Sequence, residues 1–207
     1  MGTSGRRTGY FLMTIHYYQQ NANSFFDATV AVDMSSLYAP FVAAVVPQGK
    51  ILDAGCGSGR DSKAFLAMGF DVDAFDATAE IVALATNYTG LPVRQQTFAD
   101  LNDHERYDGI WCCASLLHVD RGALPEVMQR LSRALKPGGV WYVSFKYGDG
   151  ERLKDGRHFT DLNEAGLDAL AAGLPDIRLS STWQTQDKRP DRDETWLNAL
   201  LVKSTAR

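Results

Sequence analysis

Apolar residues recur at mostly helical spacing from Asn23 to Val46, at Phe25, Phe26, Val30, Leu37, Tyr38, Phe41, Val42 and Val45, and Pro47 with Gly49 closes the run. Such spacing predicts a helical N-terminal cap. Beyond it, short strand-like runs alternate with helical ones: "KILDA", a helix from about Arg60 to Met68, "FDVDAFD", a helix from about Thr78 to Thr86, "LPVRQQ", "YDGIWCC", a helix from about Gly122 to Leu135, and "GVWYVSFK". Alternation of this kind implies βαβ units and a parallel sheet covered by helices on both faces. Residues 161–172 open with an acidic first turn and stop before Gly173 and Pro175, as a helix does. Two last strand candidates, "IRLSSTWQT" and "TWLNALLVK", flank the polar loop "QDKRPDRDE" with no helix between them, which implies an antiparallel pair at one edge.

Composition narrows the class without changing this outline. The chain has 207 residues, 45% of them hydrophobic and 22% charged, the balance of an ordinary globular protein with one core. Apolar runs such as "FVAAVV" are far too short to span a bilayer. A net charge of −4 lacks the broad basic surface that nucleic-acid binding uses. Three cysteines, Cys56, Cys112 and Cys113, form neither a full disulfide set nor a C-x-x-C zinc spacing, which points to a reducing, cytoplasmic setting. Residues 1–13 have no apolar signal core or cleavage site and read as a leader or tag remnant, or an upstream start with Met13 as the natural beginning. That leaves one domain over 14–207, with its helical cap at about 14–47.

The stretch "ILDAGCGSGR" carries the first chemistry. Three glycines on alternate positions, Gly55, Gly57 and Gly59, would weaken any regular element by roughly 0.5 to 1 kcal/mol each relative to alanine, so they answer a backbone requirement. A strand that ends in acid and glycines and opens into a helix lets main chain approach a nucleotide-like ligand closely. The dinucleotide fingerprint G-x-G-x-x-G is not met, because Arg60 stands where its third glycine belongs.

The motif resembles that of the class I S-adenosylmethionine-dependent methyltransferases. The resemblance continues in order through "FDVDAFD", "YDGIWCCASLLHV" and "RLSRALKPGGVWYVSF", covering roughly residues 17–203, and "GCGSGRDSKAFLAMGFDVDAFDAT" looks most like small bacterial enzymes that include tellurite-resistance types. It implies a Rossmann-like three-layer α/β sandwich: seven strands, mostly parallel, helices on both faces and an antiparallel last strand. It also implies S-adenosylmethionine as cofactor and S-adenosylhomocysteine as product. Gly55, Cys56, Gly57 and Gly59 would wrap the methionine end and ribose, Asp53 would anchor the loop and face the cationic end, and Asp76 would accept from the ribose hydroxyls. For either acid, a helix-cap or turn role is the plainer alternative. Ala77 and Ile81 would lie against the adenine, with Phe98 on its other side. Many relatives carry an acid near position 97; this chain reads "QQTFAD", where Thr97 is uncharged and Asp100 falls late, so adenine recognition is assigned to backbone groups. Ala114 and Ser115 would contact the methionine moiety, Tyr17 would close over the cofactor, and Arg60 either pairs with the cofactor carboxylate or stands solvated.

Methyl transfer needs positioning and desolvation, and for an amine or hydroxyl acceptor also a base. His118, beyond the fourth strand, is the first candidate, against a plain role at a helix start. Lys146 and Tyr147 end the fifth strand at the same edge, followed by "KYGDGERLKDGRHF", read as a loop that either covers the site or is solvated surface. Tyr18, Arg157, His158, Arg189 and Arg192 are acceptor-side candidates, and if the basic ones converge with Lys146 they favour an anionic small molecule. No metal is expected. Metalloid methylation, and a non-catalytic S-adenosylmethionine-binding regulatory module, stand as alternatives.

Overall fold

The computed structural model describes residues 3–189 and 192–205, with side chains from residue 11 onward; residues 1 and 2 of the stretch read as a leader lie outside the described residues. The first helix, α1 (Thr3–Thr29), takes in residues 3–13 and bends at Asn21, whose side-chain amide donates to the Tyr17 carbonyl at 2.8 Å. The helical run expected over 23–46 is therefore two helices. The Thr29 hydroxyl donates to the Phe25 carbonyl at the end of α1, and the Asp33 carboxylate accepts the Ser35 amide at 2.9 Å just as α2 (Ser35–Val42) begins. Side chains that bond nearby backbone in this way compete with helix continuation.

The sheet elements follow the predicted alternation: β1 (Lys50–Ala54), α3 (Arg60–Ala67), β2 (Asp71–Asp76), α4 (Ala79–Thr89), β3 (Arg94–Gln95), β4 (Tyr107–Cys112), α5 (Leu124–Ala134) and β5 (Leu135–Lys146). After them come β6 (Gly150–Lys154), β7 (Arg157–Asp161), α6 (Glu164–Ala172), β8 (Ile177–Gln186) and β9 (Thr195–Lys203). Seven strands form one sheet in the order β3-β2-β1-β4-β5-β9-β8. The first five are parallel, and β9 lies antiparallel to both β5 and β8. This is the Rossmann-like class read from the sequence.

Side chains of the central strands alternate between two cores, which makes the three layers. Ile110, Cys112, Trp141, Val143 and Phe145 face the core under α5 and α6, whereas Trp111, Val140 and Tyr142 face the other, with Tyr38 and Phe41 of α2 and Phe65 of α3. There the Trp111 and Tyr142 rings stack at 3.8 Å. The segment read as a covering loop is instead a hairpin, β6 with β7, a two-stranded sheet of its own. Its turn is Asp155-Gly156, with φ of +51° and +74°. Two central residues at positive φ are what a tight two-residue hairpin demands, and Asp-Gly is a sequence that supplies them.

Candidate active site

Strand order reverses between β1 and β4, and in open α/β sheets the crevice beyond the strand ends at such a point binds ligands. A cleft of about 250 Å³ lies there. One wall is the chain leaving β1. Gly55, Gly57 and Gly59 all have positive φ, +76°, +54° and +77°, so the backbone requirement read from the sequence is real. The amides of Gly55 and Cys56 share the Phe75 carbonyl at 3.0 and 2.9 Å, which folds the loop back over β2. A side chain at Gly55 would meet Ser115 Cβ at 2.6 Å, and one at Gly57 would press on the Phe25 ring at 3.2 Å. Gly59 does not line the cleft: it precedes α3, and a side chain there would strike Thr89 of α4 at 2.7 Å. Gly55→Ala is therefore expected to destabilise the fold by about 1 to 3 kcal/mol through strain and displacement of Ser115, measured by urea denaturation.

Asp76 ends β2 in the cleft and accepts the amides of Gly57 and Thr78, each at 3.1 Å. Burial still pushes its carboxyl above the usual range, so one more pair of donors at this carboxylate would find it under-compensated. Ala77, Ile81 and Phe98 line the cleft beside it, and Phe98 meets Phe75 edge-on at 5.4 Å. Asp100 is used locally, accepting from the Thr97 hydroxyl at 2.6 Å. Gln96, which the sequence did not single out, also lines this wall. Across the cleft, Ala114 (φ +52°) donates its amide to the Ser144 hydroxyl, and the Ser115 hydroxyl donates to the Ala54 carbonyl at 2.7 Å, tying the end of β4 to β1.

Asp53 keeps the anchoring part expected of it but not its place facing the cleft, and Arg60 is paired within the protein. Asp53 does not line the cleft; it is buried beneath the loop, where the Ser62 hydroxyl donates to it at 2.6 Å. Burial, together with the nearby Asp61 charge, pushes its carboxyl well above the usual range. It anchors the loop from below rather than facing a ligand. Arg60 lines the cleft, but its guanidinium is engaged bidentately by Asp61, at 2.6 and 3.0 Å. Asp61 also accepts from the Tyr38 hydroxyl at 2.5 Å and the Trp111 indole at 2.8 Å. These hydrogen bonds and the adjacent guanidinium hold its carboxyl below the usual range despite complete burial.

The opposite end of the cleft is roofed by α1 and the β6–β7 hairpin. His118 sits in a short turn after β4, and its Nδ1–H donates to the His158 carbonyl at 2.7 Å. A carbonyl only accepts, so Nδ1 carries the proton and Nε2 is left as an acceptor, taking the Tyr18 hydroxyl at 2.9 Å. Burial, reinforced by the charges of Arg157 and Lys146, lowers the imidazole to about 4. The ring is thus neutral, with a fixed tautomer and its lone pair engaged by the Tyr18 hydroxyl, which lines the cleft.

Lys146 lines the cleft, its ammonium paired with Glu194 at 2.5 Å and 4.5 Å above the Phe159 ring. Tyr147 does not: the next residue of a strand faces the opposite side, and its exposed hydroxyl donates to Glu164 at 3.0 Å. His158 is buried, its Nε2 beside Glu151 at 3.1 Å, and it reaches the site only through its backbone carbonyl. Tyr17 stands behind Tyr18 with the Arg157 guanidinium over its ring at 4.3 Å. Arg157, Arg189 and Arg192 line the cleft, Arg189 gripped by Asp187 at 2.7 and 2.9 Å. Glu194, Phe159 and Trp196 complete this end and were not foreseen. Away from the cleft, Asp120, Glu151 and His158 bring three potential ligand atoms within 4.8 Å of one another.

Residues 51–139 match the family model described as a methyltransferase domain. Ubiquinone biosynthesis O-methyltransferase of Rickettsia canadensis is 31% identical over 100 residues, 46% of this chain and 42% of that one. The enzyme of the same description from Xanthomonas campestris pv. campestris is 31% identical over 113 residues, 50% of this chain and 46% of that one. The chain spans less than half the length of these curated relatives. Among solved structures, the 1,6-didemethyltoxoflavin-N1-methyltransferase of Burkholderia thailandensis superposes with a TM-score of 0.79 at 24% identity, over 96% of this chain and 90% of that one. Magnesium protoporphyrin IX methyltransferase of Synechocystis gives 0.65 at 20% identity, over 91% and 81%.

Proposed function

We propose that this chain, whose fold and matched domain are those of the class I S-adenosylmethionine-dependent methyltransferases, moves a methyl group from that cofactor to a proton-bearing oxygen or nitrogen of a small molecule. The observation that carries this reading is the meeting, in one cleft, of the positive-φ glycine loop and Asp76 with a neutral histidine of fixed tautomer. The residues at the β1 end fit the cofactor. Gly55 and Gly57, at positive φ and packed against Ser115 and Phe25, present main chain to the cleft, and Asp76 offers a half-buried carboxylate to the ribose hydroxyls. Opposite them, His118 Nε2 is placed to accept the acceptor's proton once the Tyr18 hydroxyl gives way. The printed names of the relatives, an O-methyltransferase and an N1-methyltransferase, are of the same two acceptor types.

The side chains lining the acceptor end favour an anionic molecule. Lys146, Lys154, Arg157, Lys188, Arg189 and Arg192 face it against two carboxylates, Asp187 and Glu194. Metalloid methylation through cysteine finds less support, since burial pushes the Cys113 thiol up to about 12 and Cys112 is fully buried. Among the described residues no helix is long and apolar enough to cross a membrane, and a cytoplasmic setting for the free cysteines belongs to this proposal.

Calorimetric titration with S-adenosylhomocysteine, with NADH as control, tests the cofactor. Asp76→Ala is expected to weaken binding by about 1.5 to 3 kcal/mol, the worth of a hydrogen bond to a charged group. Unchanged affinity would remove Asp76 from the site, and preference for NADH would overturn the reading. A module that only binds would pass this test and show no turnover with any acceptor.

A further inference from the structure

Three features of the acceptor end bear on what it accepts, given the methyl-transfer reading above. The first is an apolar enclosure: the His118 ring lies 5.0 Å from that of Phe159 and 5.6 Å from that of Tyr18, with Trp196 lining the same end. The second is a loosely paired cation. Lys146 is held by Glu194 at 2.5 Å, whereas among the described residues Arg157 has one carboxylate partner, the exposed Asp155 at 3.7 Å, and its buried Nε has no hydrogen-bond partner there. The Arg157 guanidinium lies 5.3 Å from the Phe159 ring and also reaches Tyr18, so its charge is directed at the Tyr18–His118 pair. The third is the geometry of His118, whose Nε2 lone pair accepts the Tyr18 hydroxyl, the place an acceptor's proton would take in its stead.

We infer that the acceptor is a flat aromatic or heteroaromatic acid, a phenol, enol or ring N–H, which the cleft holds as its conjugate base with the ring against Phe159 and Trp196 and the anionic edge toward Arg157. A pocket walled by Phe159 and Trp196, with a cation as loosely paired as Arg157 beside them, stabilises a delocalised anion better than a localised one, because less hydration is lost on entry. The weak basicity of His118 agrees. With its conjugate acid at about 4, deprotonating an alkyl hydroxyl about as weakly acidic as water, near 16, is uphill by roughly twelve powers of ten. A phenol near 10 faces roughly six, and the neighbouring cation lowers that further. On binding, the acceptor's proton goes to His118 Nε2 and on to solvent; in the transfer the resulting anion's lone pair forms the bond to the methyl carbon, and the sulfur–methyl bond breaks with its electron pair left on sulfur. Anion and sulfonium become two neutral products, a change that a water-poor cleft favours. The other ionisable groups lining this end are Tyr18 from α1, Lys146 from β5, Lys154 from β6, and Asp187, Lys188, Arg189, Arg192 and Glu194 from the segment between β8 and β9.

The test uses the whole protein saturated with S-adenosylhomocysteine and the probe 4-nitrophenol, whose visible absorbance reports its ionisation. Bound 4-nitrophenol is expected to ionise at least about one pH unit below the free compound, as a nearby loosely paired cation dictates. Benzyl alcohol, flat but not acidic, should bind at least about tenfold more weakly, the measure of an ionic hydrogen bond. Arg157→Gln should return the bound probe's ionisation toward the free value while leaving S-adenosylhomocysteine affinity unchanged, which also shows that the variant is folded. A bound probe that stays neutral, no binding of 4-nitrophenol, or equal binding of benzyl alcohol overturns the inference while leaving methyl transfer standing. Failure of S-adenosylhomocysteine to bind is the different result that removes the function itself.

Discussion

Replacing His118 with alanine lowers turnover by about 10²- to 10⁴-fold, the usual contribution of a positioned base, and leaves S-adenosylhomocysteine affinity within a few-fold of the parent. The asymmetry follows from position: His118 belongs to the acceptor end, with Tyr18 and the His158 carbonyl, and the loop from Gly55 to Gly57 does not depend on it. Normal turnover in the variant would reduce His118 to a structural link between the turn after β4 and the β6–β7 hairpin. A second readout separates the two roles. Between pH 6.5 and 4 the unfolded chain binds a proton at this position that the folded chain does not, because burial depresses the folded value. Stability therefore falls as pH drops through that window, by up to roughly 3 kcal/mol, and His118→Ala flattens that part of the curve. An unflattened curve in urea titrations from pH 7 to pH 4 would mean that the imidazole is not buried as neutral.

The largest loss of stability is expected from Asp61→Ala. That carboxylate is the common acceptor for Arg60, Tyr38 and Trp111, all pressed between α3, α2 and β4. Its removal strands a largely buried guanidinium, which costs about 3 to 5 kcal/mol in comparable cases, and leaves a phenol and an indole without acceptors. Urea denaturation measures it; a loss below about 1 kcal/mol would mean that water replaces the carboxylate. The damage should reach cofactor binding as well, since Asp61 opens the helix that follows the glycine loop.

The central strands β1, β4 and β5 were legible because burial on both faces makes them near-continuous apolar runs, and the loop after β1 because φ near +76° there favours glycine. Asp61 was not, since its worth depends on Tyr38 and Trp111, 23 and 50 positions away. Lys146 and Tyr147 were named together, although in a strand only one of two neighbours can face the cleft. The Asp155-Gly156 pair did announce a hairpin, but the surrounding glycines and charges were read as loop composition. Glu194 and Trp196 flank the start of a strand whose place beside β5 is a tertiary fact, so no local pattern marks them.

The position of β9 between β5 and β8 bears on the order in which the protein is assembled. Synthesis runs from the first residue to the last, so Gly55, Asp76 and Ser115 are all available to meet before the segment that separates β5 from β8 has left the ribosome. Glu194 and Trp196 arrive with that segment, and Lys146 spends the interval without its carboxylate partner. Tyr18, Gly55, Asp76, His118 and Arg157 thus precede, in the making of each molecule, the segment from Asp187 to Trp196 that completes the cleft.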